Sequence, residues 1–341
     1  MEFTVDFPSG TTIYHFGNID VLEQLSNDRH IILLTDSNVA NALPAVFTQY
    51  PTIVLSAGED SKTMATITHI LSELVRLGAT RNSVLIGIGG GVITDIAGFA
   101  AASYMRGIAC GFIPTSLLAM VDAAIGGKNG VNIGLYKNIA GTIRQPEFLL
   151  FDTTLLQTLP DAEWSNGFAE VIKYACIFDA PLFDELEAND LAYYYKDTEA
   201  LTRLVTRCVA WKNKVVLADE HEKGERKLLN FGHTAAHAIE NLHSLPHGQA
   251  VAIGMVIASR LSQQETGLQM AFTDRLKQVL ERYGLRVTYP YEADKALEIL
   301  KMDKKRAGNK IDYILLEAPG KAIIRPLNLD IISKIFTECA Q

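Results

Sequence analysis

The sequence predicts a Rossmann-like α/β N-terminal domain followed by a mainly α-helical C-terminal domain. Three observations carry this. Short β-branched runs alternate with helical periodicity as far as Asp152, a glycine cluster joins one such run to a helix, and beyond Asp152 the pattern changes to long amphipathic segments. With 341 residues, 48% of them hydrophobic, the chain can supply two cores. The change of period alone divides it into residues 1–155 and 156–341.

The elements follow in order. Ile31 to Leu34, Thr52 to Leu55, Val84 to Ile88 and Ile108 to Ile113 are the strand candidates, and the pattern changes after Phe148 to Asp152. Between the second and third, Met64, Ile67, Leu71, Leu74 and Val75 recur at three- and four-residue steps, and Gly78 stands where a C-cap falls. That is a helix with one buried face. The later amphipathic segments run over 161–177, 198–217, 231–243, 247–266, 272–283 and 328–338. A strand pair is expected at Tyr313 to Leu316 and Ala322 to Arg325. The charged run from Asp219 to Arg226 reads as a solvated loop.

Composition excludes several classes of function. With 31 Lys and Arg against 39 Asp and Glu, the net charge of −8 gives no footprint for general nucleic-acid binding. The four cysteines show no CxxC spacing, so they read as core thiols of a reducing cytoplasm rather than a zinc knuckle or disulfide framework. The N-terminus lacks a signal-peptide pattern and no run of 18 apolar residues occurs, so a cytoplasmic protein without a membrane partner is expected.

The run Val84 to Gly91 leads from a strand through Gly87, Gly89, Gly90 and Gly91 into a helix. Such a turn lets backbone N–H groups approach a pyrophosphate at a helix N-terminus, and equally serves tight strand-to-helix packing. A second cluster, Gly126-Gly127-Lys128-Asn129-Gly130 followed by Lys137-Asn138, suggests local anion capture; the alternative is a hairpin with solvated lysines. His233 and His237 lie at i and i+4 on one helix face, with His247 following after Pro246, so three of the eight histidines cluster. Catalytic zinc commonly takes three protein ligands, and Glu170 is the carboxylate of choice for the third. Glu170 and Lys173 could equally form an ordinary helix ion pair, and the histidines could be core residues.

In combination these stretches resemble the 3-dehydroquinate synthases of the sugar-phosphate cyclase superfamily. The resemblance rests on Gly58 to Lys62, Gly89 to Phe99, Tyr104 to Gly107, Val121 to Lys128, Lys137-Asn138, Gly167 to Lys173, Leu228 to His237, His247-Gly248 and Asp303 to Lys305, in family order. It implies a lyase of the shikimate pathway, on the route to chorismate and the aromatic amino acids. Such an enzyme uses NAD and a divalent metal, zinc or cobalt, as a homodimer. Its substrate is a phosphorylated sugar acid, 3-deoxy-D-arabino-heptulosonate 7-phosphate.

By the same resemblance Glu170, His233 and His247 would bind the metal. Glu59, Lys62, Gly91, Val92, Ile93, Thr94, Asp95, Thr115, Ser116, Lys128, Lys137, Leu155, Leu156, Gln157 and Thr158 would line the NAD site. Asp122, Asn138, Lys212, Arg226 and Lys304 or Lys305 match substrate-contacting positions, and Arg106 one that reaches in from a neighbouring subunit. Lys128, Lys173, Asn230 and His237 would act in catalysis, His237 and Asn230 relaying a hydroxyl proton unless His237 merely supports His233. The implied chemistry is transient oxidation, phosphate elimination, reduction and an intramolecular aldol closure. The chain departs from the family pattern at Thr94, Ser116, Asn129 and Gln249. Thr94 would adjust the cofactor turn, and Gln249 removes a charge near the metal. Competing readings are another sugar-phosphate cyclase, a metal-dependent NAD alcohol or glycerol dehydrogenase, and a non-catalytic scaffold.

Overall fold

The computed structural model describes residues 1–134, 136–243, 245–303 and 310–340. Two compact units emerge: Met1–Pro160 with Thr198–His221, and Asp161–Asp197 with Glu222–Gln341.

The first unit contains β1 (Glu2–Phe7), β2 (Gly10–Phe16), β3 (His30–Asp36), β4 (Thr52–Leu55), β5 (Ser83–Gly89), β6 (Ala109–Pro114), β7 (Lys128–Ile133), β8 (Tyr136–Ile143) and β9 (Phe148–Phe151). Seven of these form one sheet in the order β1-β2-β9-β6-β5-β3-β4. It is parallel except for the β1–β2 pair, and β7 and β8 form a separate hairpin. Every residue of β5 is buried, as its unbroken apolar sequence requires of a strand covered on both faces. The outer β1–β2 pair instead alternates, with Thr4, Asp6 and Thr11 among its members, and a search for apolar runs passes over it.

The helix Met64–Arg76 begins where the Thr63 hydroxyl accepts the Thr66 N–H at 3.2 Å, and it stops before Gly78 at φ +71°. The helix Gly91–Ser103 lies close against β5. A Cβ at Gly87 would fall 2.7 Å from the Ala97 Cβ. This glycine therefore serves strand-to-helix packing, one of the two roles its cluster suggested.

The helix Thr198–Ala218, placed by its sequence position in the second domain, packs with the first unit. Its periodicity identified a buried face, but not the surface that buries it. Leu201, Leu204, Val205, Cys208 and Val209 form that face. The Tyr14 hydroxyl donates to Asn213 Oδ1 at 2.6 Å, and Lys212 Nζ lies 2.7 Å from Asp122 Oδ1. The charged run Asp219 to Arg226 is solvated only in part: His221, Lys223, Gly224 and Glu225 are exposed, but two of its charges are not. Glu220 is 4% exposed and Arg226 2%, and Glu220 Oε1 accepts from Gln145 Nε2 at 2.9 Å.

The second unit is mainly helical: Asp161–Phe178, Ala180–Ala188, Leu191–Lys196, His233–His243, His247–Glu265, Met270–Arg282, Ala293–Asp303 and Leu329–Cys339, with an antiparallel pair β10 (Lys310–Ala318) and β11 (Lys321–Asn328). Asp161–Phe178 and His247–Glu265 are buried on most sides, as helices at the centre of a helical unit are. Ala180–Ala188, Leu191–Lys196 and Ala293–Asp303 were not anticipated. Two of them rely on caps more than on period: Asp179 accepts the Leu182 N–H at 3.1 Å and Asp190 that of Tyr193 at 2.9 Å. Among the described residues no helix is long and apolar enough to cross a membrane.

Gly87→Val should push the Gly91–Ser103 helix off β5 and lower stability by about 1–3 kcal/mol, as overpacked cores do. The urea midpoint is expected to fall; an unchanged midpoint would show that the helix does not depend on this contact.

Candidate active site

In the second unit the helix Asp161–Phe178 carries Glu170 into the core, with its side chain 0% exposed. Two further ligand candidates stand at helix starts: His233 opens His233–His243 and His247 opens His247–Glu265. One carboxylate oxygen of Glu170 lies 3.1 Å from His247 Nε2 and 3.5 Å from His233 Nε2. The ligand atoms of all three lie within 4.8 Å of one another. The carboxylate and the two histidines selected from the sequence thus converge from well-separated segments.

The surroundings tune the three groups differently. His233 Nδ1 faces the Phe231 carbonyl at 3.2 Å; a carbonyl only accepts, so Nδ1 carries the proton and Nε2 keeps its lone pair. Burial lowers the His233 pKa to about 3 against the pull of Glu170, so it is neutral at neutral pH. For His247, burial opposes the charged form, but the hydrogen bond to Glu170 and the nearby Glu240 carboxylate prevail and raise its pKa to about 9. Glu240 Oε2 lies 3.9 Å from His247 Nδ1. This second carboxylate was not anticipated, although Glu240 sits seven residues after His233 on the same helix face, a spacing that could have revealed it.

Lys173 is paired with Glu170 through the other carboxylate oxygen and is 1% exposed. The pair is therefore not the ordinary solvated helix pair that its spacing also allowed. A buried carboxylate so paired makes, with two imidazole nitrogens, a donor set suited to tetrahedral Zn²⁺ or Co²⁺. These residues fit such an ion. The ring of His237 stands nearly perpendicular to that of His233, with centroids 5.8 Å apart, on the exposed side of the helix. Since the Phe231 carbonyl already orients His233, a supporting role for His237 is not required by this geometry. Asn230 Nδ2 donates to Glu222 Oε1 at 2.6 Å, a partner the sequence reading missed.

In the first unit, the residues expected at the cofactor gather at the carboxyl ends of the parallel strands. Glu59 and Lys62 follow β4, Gly91 to Asp95 follow β5, Thr115 and Ser116 follow β6, and Leu155 to Thr158 follow β9. Chain connections run from β3 to one side and from β5 to the other, so their ends form the switch point at which open α/β sheets bind ligands. Lys62 Nζ is 2.5 Å from Asp95 Oδ2, and burial still raises the Asp95 pKa to about 6. Ile93, Thr94 and Leu156 turn their side chains into the core.

Asn132 joins this edge to the hairpin, donating to Glu59 Oε1 at 2.8 Å and accepting from the Asn138 N–H at 2.8 Å. Lys128 and Lys137 are not neighbours: Lys128 opens β7 opposite Ile143, whereas Lys137 lies near the hairpin tip. Asp122 and Lys212 are brought together as an ion pair, while Arg106 is exposed in a left-handed conformation, φ +67°. Lys304 and Lys305 lie outside the described residues.

The fold that carries these residues is shared with solved synthases. A 2-deoxy-scyllo-inosose synthase complexed with carbaglucose-6-phosphate, NAD⁺ and Co²⁺ superposes with a TM-score of 0.88 at 25% identity, covering 99% of this chain and 100% of that one. The 2-epi-5-epi-valiolone synthase of Streptomyces hygroscopicus subsp. jinggangensis, with NAD⁺ and Zn²⁺ bound, gives 0.87 at 28% identity, covering 96% of each.

Sequence comparison is more specific. The family model for the 3-dehydroquinate synthase N-terminal region matches residues 52–166, and that for the C-terminal region matches 167–306. A 3-dehydroquinate synthase of Campylobacter jejuni subsp. doylei is 39% identical over 320 residues, covering 90% of this chain and 91% of the relative. The chain belongs to the 3-dehydroquinate synthase family.

The pH behaviour of the centre follows from His247. Its folded pKa, about 9, is above the ordinary 6.5. In metal-free protein the resulting stabilisation is complete below pH 6.5 and is lost as pH rises through 9. A ligating imidazole must shed this proton, so Zn²⁺ affinity should rise about tenfold per pH unit towards that value. Calorimetry in buffers of different ionisation enthalpy should detect about one proton released per ion at pH 7. No release would remove His247 as a ligand.

Proposed function

We propose that this protein converts 3-deoxy-D-arabino-heptulosonate 7-phosphate to 3-dehydroquinate and phosphate. The observation that carries the reading is the convergence of Glu170, His233 and His247 in a chain of this family. The dehydrogenase alternative is not favoured, because such folds are matched here only at low identity, 15% for a probable glycerol dehydrogenase.

NAD⁺, when bound, supplies the hydride acceptor and later donor, and a divalent ion, Zn²⁺ or Co²⁺, polarises the hydroxyl being oxidised. The backbone N–H groups of Gly91, Val92 and Ile93, in the first turn of the helix, offer donors to a diphosphate, with Thr94, Asp95, Thr115, Ser116 and the Leu155, Leu156, Gln157 and Thr158 segment completing the cofactor's surroundings. Glu59, Lys62, Lys128 and Lys137 belong to the same assignment.

Glu170, His233 and His247 hold the ion, and Lys173 keeps the Glu170 carboxylate ionised. His237 moves the proton of the reacting hydroxyl while Asn230 orients that group. Arg106, Asp122, Asn138, Lys212, Arg226 and Lys304 bind the substrate, the cations among them fixing its phosphate and carboxylate. The phosphate, once positioned, can take up the adjacent proton itself, so these donors orient the departing group rather than supply a base. We further propose a homodimer, in which Arg106 comes from the neighbouring subunit, and a cytoplasmic location, which suits four free cysteines.

The test supplies the heptulosonate phosphate with NAD⁺ below the substrate concentration and Co²⁺ or Zn²⁺. Phosphate and dehydroquinate should appear in equal amounts without net NADH, and chelation should stop both. Net NADH matching product would favour a dehydrogenase instead, and absence of both products would overturn this substrate in favour of another cyclase or a scaffold. His237→Ala should lower kcat by about 10²–10⁴-fold, the usual range for a proton-transfer group, with metal content unchanged. Loss of the metal would assign His237 to the ion instead.

A further inference from the structure

Asn166 sits on the helix Asp161–Phe178 one turn before Glu170, and its Oδ1 accepts the Gly248 N–H, at the first turn of the helix that His247 opens. This is a cap supplied from outside the helix: Pro246, at the N-cap position, has no capping side chain. The approach is close enough to require glycine. A Cβ on residue 248 would lie 2.7 Å from the Asn166 Cα. Asn166 Nδ2 is itself held by Glu163 Oε2 at 3.2 Å.

A second tie holds the same helix end. Gln249 Nε2 donates to the Gly284 carbonyl at 3.0 Å, and Gln249 Oε1 accepts the Arg286 N–H at 2.8 Å. Only a carboxamide meets both demands; a glutamate at this position would set a carboxylate oxygen against the Gly284 carbonyl.

We infer that Asn166, with Gln249 as its second anchor, is a positioning residue that presets His247 against Glu170 before any ion arrives. The inference rests on the metal reading above and deepens it. Neither side chain supplies a ligand atom. Asn166 acts by joining two ligand-bearing helices through one hydrogen bond, so the Glu170-to-His247 spacing of 3.1 Å is set by the scaffold. Groups outside a metal's ligand set that orient its ligands typically contribute about 10–100-fold in affinity.

The test measures Co²⁺ affinity and the visible Co²⁺ spectrum of the full chain, with no activity readout. Asn166→Ala should weaken Co²⁺ binding about 10–100-fold and alter the spectrum, whereas Asn166→Asp combined with Glu163→Gln, which keeps the accepting oxygen without opposing two carboxylates, should restore most of both. Gln249→Glu should weaken binding in the same direction. Asp190→Ala removes a cap remote from the centre and serves as the control for general loss of stability. Wild-type affinity and spectrum in Asn166→Ala would overturn the inference, as would an equal loss in Asp190→Ala. If Asn166→Ala does not fold, the Asn166→Asp, Glu163→Gln double variant and Gln249→Glu decide: the inference requires near wild-type binding in the first and weakened binding in the second. A wild-type protein that takes up no Co²⁺ would instead overturn the metal reading beneath it.

Discussion

The constraint on which the candidate site depends is the burial of one charge. The Glu170 carboxylate is withdrawn completely from water, and an uncompensated ion in such a place costs several kcal/mol. Lys173 compensates from its own helix, and the His247 imidazole, protonated in the absence of an ion, does so from another. His233 stays neutral beside them because its own burial outweighs the attraction of the carboxylate. One proton therefore occupies the place that a divalent cation would take. The same arrangement that stabilises the metal-free fold prepares two imidazoles and a carboxylate for exchange.

Much of this was legible in the sequence where the chemistry is local. The His233, His237 and His247 spacing named a centre, and the unbroken apolar run of β5 with its glycine turn named the nucleotide edge. What was not legible depends on which surfaces meet. The helix Thr198–Ala218 has the period of any amphipathic helix, and only the Tyr14 to Asn213 and Lys212 to Asp122 bonds reveal its partner. The acidic run containing Glu220 looked solvated because charge along a sequence does not announce its burial; Gln145, the acceptor's partner, is far away in the chain. The strands β1 and β2 were missed because an outer antiparallel pair need be apolar on one face only. Glu240 was missed because it acts through His247 rather than on the ion.

The departures from the family pattern also acquire local reasons. Thr94 turns its hydroxyl back to the Gly91 carbonyl at 3.1 Å, so its added Cβ is absorbed by the core and not by the cofactor turn. Ser116 retains a hydroxyl that accepts the Ala119 N–H at 3.3 Å. Asn129 donates to both Gly127 O at 2.8 Å and Arg144 O at 3.0 Å, closing the base of the β7–β8 hairpin with two donors where a hydroxyl has one. The charge missing at Gln249 is explained by the carbonyl it must donate to. None of the four alters a proposed metal ligand.

Anomalous diffraction from crystals grown with Zn²⁺ tests the central claim most directly. A single strong peak is expected about 2.0–2.2 Å from a Glu170 oxygen and from Nε2 of His233 and His247, the usual range for such bonds. A peak held by other side chains, or these three residues left without one in zinc-saturated protein, would contradict it.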